Sequence, residues 1–124
     1  MGRLLDALAS EHGRINDNVY LIGFSQGVSM AYRLAVSGTV PVRGLVACCA
    51  DLPADVAERL PSITRFPVLL AHAEDDPLVP VSKAAEAESV LQAHNFPVNR
   101  LRYTGGHLIP EDVVTRIGEW IEAT

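Results

Sequence analysis

Hydrophobic positions along this chain fall into two kinds of block. Continuous apolar runs occupy Val19–Phe24 (Val-Tyr-Leu-Ile-Gly-Phe), Gly44–Ala50 (Gly-Leu-Val-Ala-Cys-Cys-Ala) and Pro67–Ala73 (Pro-Val-Leu-Leu-Ala-His-Ala). Runs this short, without alternation, are the pattern of strands buried on both faces, as in a parallel sheet. Val98–Thr104 alternates instead. Asn99, Leu101 and Tyr103 share one side and Arg100 and Arg102 the other, which predicts an edge strand with one wet face.

Helical spacing fills the intervals. Leu4, Leu5 and Leu8 predict a helix over residues 3–12, with Gly13 placed to cap it, and Asn16-Asp17-Asn18 turns the chain into the first strand. Gln26 to Val36 is apolar nearly all round (Val28, Met30, Ala31, Tyr32, Leu34, Ala35), which predicts a helix buried behind a sheet and ended by Gly38. Asp51–Arg65, interrupted by Pro53 and Pro61, reads as a partly helical connection. Ser82 is expected to cap a helix running to about His94. Pro110 is expected to open a last helix whose apolar stripe is Val113, Val114, Ile117, Trp120 and Ile121. Strands alternating with helices predict an α/β layer with parallel strands and right-handed crossovers.

Composition narrows the function classes. The chain has 124 residues, 48% hydrophobic and 20% charged, which suits one domain with a modest core. A net charge of −5 offers no electrostatic case for nucleic acid or an anionic membrane. Asp6 sits where a signal peptide needs its apolar core, and no apolar run is long enough to span a bilayer, so a soluble cytoplasmic protein is the expectation. Cys48 and Cys49 are neighbours in a strand and point to opposite faces, which argues against a disulfide between them. They read as buried, inert thiols. Without a C-x-x-C or a His/Cys cluster, no metal site is expected.

The chemistry concentrates just beyond the strand ends. Gly23-Phe24-Ser25-Gln26-Gly27 is a G-x-S-x-G between a strand and a helix, the context in which a serine is held on a sharp turn. Gly23 and Gly27 are the positions where side chains would collide across that turn. In a parallel sheet the ligand crevice lies at the carboxyl ends of the strands, and Ser25, Asp76 and His107 all fall there. A serine hydroxyl needs a base to take its proton, and the base needs a carboxylate to orient it; these three appear in the order Ser, Asp, His. Taken singly, Ser25 also reads as a turn serine, Asp76 as an Asp-Pro turn former and His107 as a loop histidine, and Asp75 competes with Asp76. Their joint placement favours a common site. His72, inside a strand, reads as a hydrogen-bonded core or supporting residue, and His12 and His94 as helix C-terminal residues.

Three segments together resemble the phospholipase/carboxylesterase branch of the α/β hydrolases, which includes the acyl-protein thioesterases. They are Gly23-Phe24-Ser25-Gln26-Gly27, His72-Ala-Glu-Asp-Asp76-Pro-Leu-Val-Pro80 and Gly105-Gly106-His107-Leu-Ile-Pro110. That family carries G-F-S-Q-G, H-G-x-x-D-x-x-V-P and a glycine-flanked histidine in this order. Ala73 departs from its usual glycine, and Val28 stands where a second glycine is common. The resemblance extends over nearly all of the chain and favours Asp76 over Asp75. It implies Ser25 as nucleophile, His107 as base and Asp76 as orienting acid, acting on carboxylic esters or thioesters without a cofactor.

The resemblance also implies a partial α/β-hydrolase fold. Residues 1–124 would form a single domain, the C-terminal part of a catalytic domain, with about four parallel strands, lacking the N-terminal strands. The H-G-x-G-type loop that supplies a second oxyanion donor belongs to that front part, which leaves the backbone N–H of Gln26 as the oxyanion donor. Losing one such donor costs about 10²–10³ in rate. Val19–Phe24 would then be an edge strand with apolar residues on both faces, expected to pair with a second copy or a separate chain. The leading expectation is a carboxylesterase-type serine hydrolase. The alternative is a non-catalytic interaction module or fragment that needs a partner.

Overall fold

A computed structural model describes residues 19–38 and 41–124 of the chain. Four parallel strands form one sheet in chain order: β1 (Val19–Phe24), β2 (Val42–Cys48), β3 (Val68–Ala73) and β4 (Val98–Tyr103). Between and after them lie α1 (Gln26–Val36), α2 (Ala54–Arg59), α3 (Ser82–Ala93) and α4 (Glu111–Ala123). The expected helix over residues 3–12 and the Asn16-Asp17-Asn18 turn lie outside the described residues.

Side-chain alternation along the strands builds two cores. Leu21, Leu45, Ala47, Val68 and Leu70 join Val28, Tyr32, Val56, Ala87 and Leu91 on the face covered by α1, α2 and α3. Val46, Cys48, Leu69, Ala71 and Leu101 join Val113 and Ile117 of α4 on the other. Three crossovers stepping the same way across the sheet must share a face, so among the described helices only α4, after the last strand, is free to cover the second. A fully buried leucine such as Leu45 contributes about 1.5–3 kcal/mol relative to its exposed state. The segment around α2 is a true crossover, because Val56 and Leu60 are both in the core.

Several boundaries depart from expectation for identifiable reasons. β2 starts at Val42 and ends at Cys48, two residues earlier than Ala50, because Cys49 turns to φ 57° while its N–H bonds the carbonyl of Ala71 at 2.9 Å. Ser82 does not cap α3. Val81 is the capping residue, and the first turn closes through backbone bonds, Lys83 N–H to Pro80 at 2.9 Å and Ala84 N–H to Val81 at 3.0 Å. Met30 of α1 and Val114 of α4 are exposed, so each helix is apolar on a stripe narrower than its sequence implied. β4 does lie at the edge, but its arginine face is not uniformly wet: the Arg100 side chain is largely covered and pairs with Glu88 of α3 at 3.3 Å. Gly38, at φ 79°, follows the end of α1 as expected.

The C-terminal end of α4 is tied to the opposite edge of the sheet. The Tyr20 hydroxyl donates to the Ile121 carbonyl at 3.2 Å and accepts from Arg43 Nε at 3.0 Å, and Arg43 also donates to the Thr124 carbonyl at 2.9 Å. Gly44 makes room for this contact, since a Cβ there would lie 2.9 Å from the Tyr20 ring and 3.3 Å from Trp120. We expect Gly44→Ala to cost about 1–3 kcal/mol by overpacking, read as a lower midpoint in chemical denaturation with little change around Ser25. An unchanged midpoint would show that Tyr20 and Trp120 shift freely.

Candidate active site

Each singled-out residue stands where a strand hands over to the next element, at the carboxyl edge of the sheet. Ser25 follows β1 directly and precedes α1, with φ 54° and ψ −117°. A non-glycine residue in such a conformation costs about 1–3 kcal/mol and persists only where its surroundings impose it. Two backbone bonds do so here: Ser25 N–H donates to Cys48 at the end of β2 (2.9 Å), and Ser25 C=O accepts from Val28 N–H (3.1 Å). Gly23 permits the tight crossing. A Cβ at that position would lie 2.7 Å from Val28 Cα, 2.8 Å from Val28 N and 2.9 Å from the Gly27 carbonyl, all backbone atoms that cannot give way.

His107 reaches both partners from the loop after β4. Its Nε2 is 2.9 Å from Ser25 Oγ and its Nδ1 is 2.8 Å from Asp76 Oδ2. An ionised carboxylate only accepts, so Nδ1 carries the proton, and Nε2 is left as acceptor for the serine O–H. The Phe24 ring lies 5.1 Å from the imidazole, centroid to centroid. The Asp76 side chain is fully buried after β3. Its Oδ1 accepts from Leu78 N–H (2.8 Å) and Val79 N–H (2.9 Å). Burial pushes its carboxyl up. The bonds from His107, Val79 and Leu78 outweigh that and hold it below the usual carboxylate range.

The neighbouring residues sort by what they touch. His72 is buried as expected: its Nε2 donates to the Val79 carbonyl at 2.8 Å and lies 3.5 Å from Asp76 Oδ2, bracing the turn that carries the aspartate. Asp75 does not reach the imidazole. It accepts instead from the backbone N–H groups of Gly105 and Gly106, at 3.0 and 3.1 Å, and those bonds lower its carboxyl pKa. Gln26 opens α1, where its N–H has no intrahelical acceptor. Gly27 follows it in the first turn. His94 ends α3, its Nδ1 3.0 Å from the Val90 carbonyl. His12 lies outside the described residues.

Cys49 belongs to this site, which its sequence setting did not show. A strand residue would have pointed into a core; the positive φ turns it toward the carboxyl edge instead. Its Sγ is 3.1 Å from the Tyr103 hydroxyl, which itself donates to the Leu108 carbonyl at 2.8 Å. Cys49 Sγ, an Asp76 oxygen and a His107 ring nitrogen lie within 4.8 Å of one another, a set of donor types that can hold a metal. Two features oppose that use. Burial pushes the Cys49 thiol up, away from the thiolate a metal needs, and Asp76 and His107 are already bonded to each other. Cys48, facing the α4 core, is pushed up to about 12 by burial. Both cysteines are free thiols.

Comparison with known proteins gives a consistent picture. The chain is 26% identical over 110 residues to acyl-protein thioesterase 1 of Gibberella zeae, an alignment covering 83% of this chain and 47% of that protein. The crystal structure of esterase PE8 superposes with a TM-score of 0.78 at 26% identity, over 98% of this chain and 57% of the esterase. The Bacillus cereus carboxylesterase superposes with a TM-score of 0.72 at 21% identity, again over 98% of this chain and 57% of the other. The chain therefore spans about half the length of the curated relative it matches, and its fold is part of an α/β-hydrolase fold. The profile of the Phospholipase/Carboxylesterase family matches residues 1–124. On that match over its whole length, the chain belongs to the phospholipase/carboxylesterase family.

Proposed function

We propose that this chain is the C-terminal part of a serine hydrolase catalytic domain, cleaving carboxylic esters or thioesters through an acyl-enzyme. The observation that carries the reading is the continuous hydrogen-bonded series Asp76–His107–Ser25, with separations of 2.8 and 2.9 Å. Ser25 Oγ attacks the acyl carbonyl carbon as its proton passes to His107 Nε2. Asp76 fixes the tautomer and stabilises the imidazolium. The Gln26 N–H, at the start of α1, donates to the oxyanion of the tetrahedral intermediate. Collapse expels the alcohol or thiol, which takes the proton back from His107. A water molecule, deprotonated by the same imidazole, then releases the acid and restores the Ser25 hydroxyl.

Apolar side chains flank this series. Leu78 and Leu108, next to the turns that bear Asp76 and His107, are 70% and 69% exposed. They suit an acyl substrate with a hydrocarbon portion. Among the described residues, β1 hydrogen-bonds to a strand only on its β2 side, and its apolar residues face both ways. The reading assigns the other side to a further strand, from the rest of the catalytic domain, a second copy or a separate chain.

Two measurements test this. A fluorophosphonate probe is expected to label the folded chain at Ser25. Labelling should vanish in Ser25→Ala and slow by about 10³–10⁴ in Asp76→Asn, where the imidazole loses its acceptor. A folded chain that stays unlabelled contradicts the hydrolase reading and leaves the non-catalytic module. Light scattering across a concentration series is expected to show a species heavier than one chain; a uniform monomer at the highest concentration contradicts association through β1.

A further inference from the structure

The loop that carries His107 is packed at Gly105, where a Cβ would lie 3.0 Å from Pro110, and at Ile109, which sits against the α4-side core, but more loosely between them. Gly105 and Gly106 precede the histidine, Gly106 is at φ 65°, and a Cβ on Gly106 would meet nothing within 4 Å. No neighbour crowds Gly106 on the side where a Cβ would stand, while the imidazole of the next residue must stay within hydrogen-bond distance of two partners. Two side-chain tethers add to that packing. On the far side of His107, the Tyr103 hydroxyl donates to the Leu108 carbonyl at 2.8 Å. On the near side, the Asp75 carboxylate accepts from both Gly105 N–H and Gly106 N–H through the single atom Oδ1, at 3.0 and 3.1 Å.

We propose that Asp75 is a positioning residue for His107, gripping the backbone of the histidine loop from the same turn whose next residue, Asp76, grips the imidazole. The proposal rests on the catalytic reading of Ser25, Asp76 and His107. Adjacent carboxylates divide one task. Because consecutive residues carry them, any motion of the β3–α3 turn moves both contacts together, and the distance between Asp76 and His107 is conserved. Asp75 is exposed and belongs to neither core, so its removal leaves global stability nearly unchanged. The effect is confined to where the imidazole sits. A displacement of about 1 Å at a reacting group costs up to about 10² in rate, which makes a tether of this kind visible in kinetics.

The test compares Asp75→Ala with Asp75→Asn in the 124-residue chain, since an asparagine side-chain oxygen still accepts from Gly105 and Gly106. Three readouts apply: the rate of fluorophosphonate labelling, the low-field proton resonance of His107 Nδ1–H bonded to Asp76, and the thermal midpoint. The expected result is labelling slowed about tenfold in Asp75→Ala, with a weakened low-field resonance, a midpoint near the parent's, and recovery in Asp75→Asn. Labelling within twofold of the parent and an unchanged resonance in Asp75→Ala would overturn the proposal. Amide exchange in the parent chain decides the point without any variant: the tether requires slowed exchange at Gly105 and Gly106, and free exchange there sinks it. If the parent is not labelled at all, the hydrolase reading fails, whereas the resonance and the amide exchange still decide whether Asp75 holds the loop.

Discussion

Ser25 occupies a backbone conformation that its own chemistry disfavours, and much of the molecule is arranged to keep it there. The residue stands between an extended β1 and a helical α1, and its φ of 54° joins the two without a loop. The bond from Ser25 N–H to Cys48 ties that turn to the end of β2. β2 is in turn fixed by pairing with β1 and β3 and by burial on both faces. The sheet thus provides the rigidity that the turn lacks, and the strain at Ser25 is the local cost of presenting a hydroxyl above the sheet edge.

The same edge gathers the other partners, which then bond to one another. Parallel strands all end on one side, so the segments after β1, β3 and β4 arrive together however far apart they are in sequence. Each brings one member of the series, and the arriving turns are held by hydrogen bonds between side chain and backbone: the Asp76 carboxylate accepts from Leu78 and Val79, and the His107 loop is held by the side chains of Asp75 and Tyr103. Side-chain geometry at the ångström level rests on these turn bonds rather than on the hydrophobic cores, which set only where the strands end.

What was legible in the sequence follows from this division. β2 and β3 read directly as apolar runs because burial on both faces leaves no room for polar alternation, and β1 is apolar throughout although one of its faces is only half-buried. The meeting of Ser25, Asp76 and His107 was legible because a hydroxyl, a carboxylate and an imidazole fall at three strand ends that share one edge of the sheet. The contacts of Asp75 and Cys49 were not, for a common reason: both depend on backbone geometry. One-residue spacing separates Asp75 from Asp76, and nothing in residue type says which points to the imidazole and which to the Gly105 amide. Cys49 looked like one more strand residue until its positive φ turned it toward Tyr103. Arg100 shows a further limit, since an alternating strand marks which residues share a face but not that Glu88 of α3 will cover one of them.

The central claim is that Ser25, His107 and Asp76 act as one nucleophilic unit in this chain. Rapid mixing with a nitrophenyl acetate, followed by intact-mass measurement and peptide mapping, tests it most directly. The account predicts a burst of nitrophenol matched by a single acetyl group on Ser25, absent in Ser25→Ala. Nitrophenol release without a burst, equal in the parent and in Ser25→Ala, would contradict it.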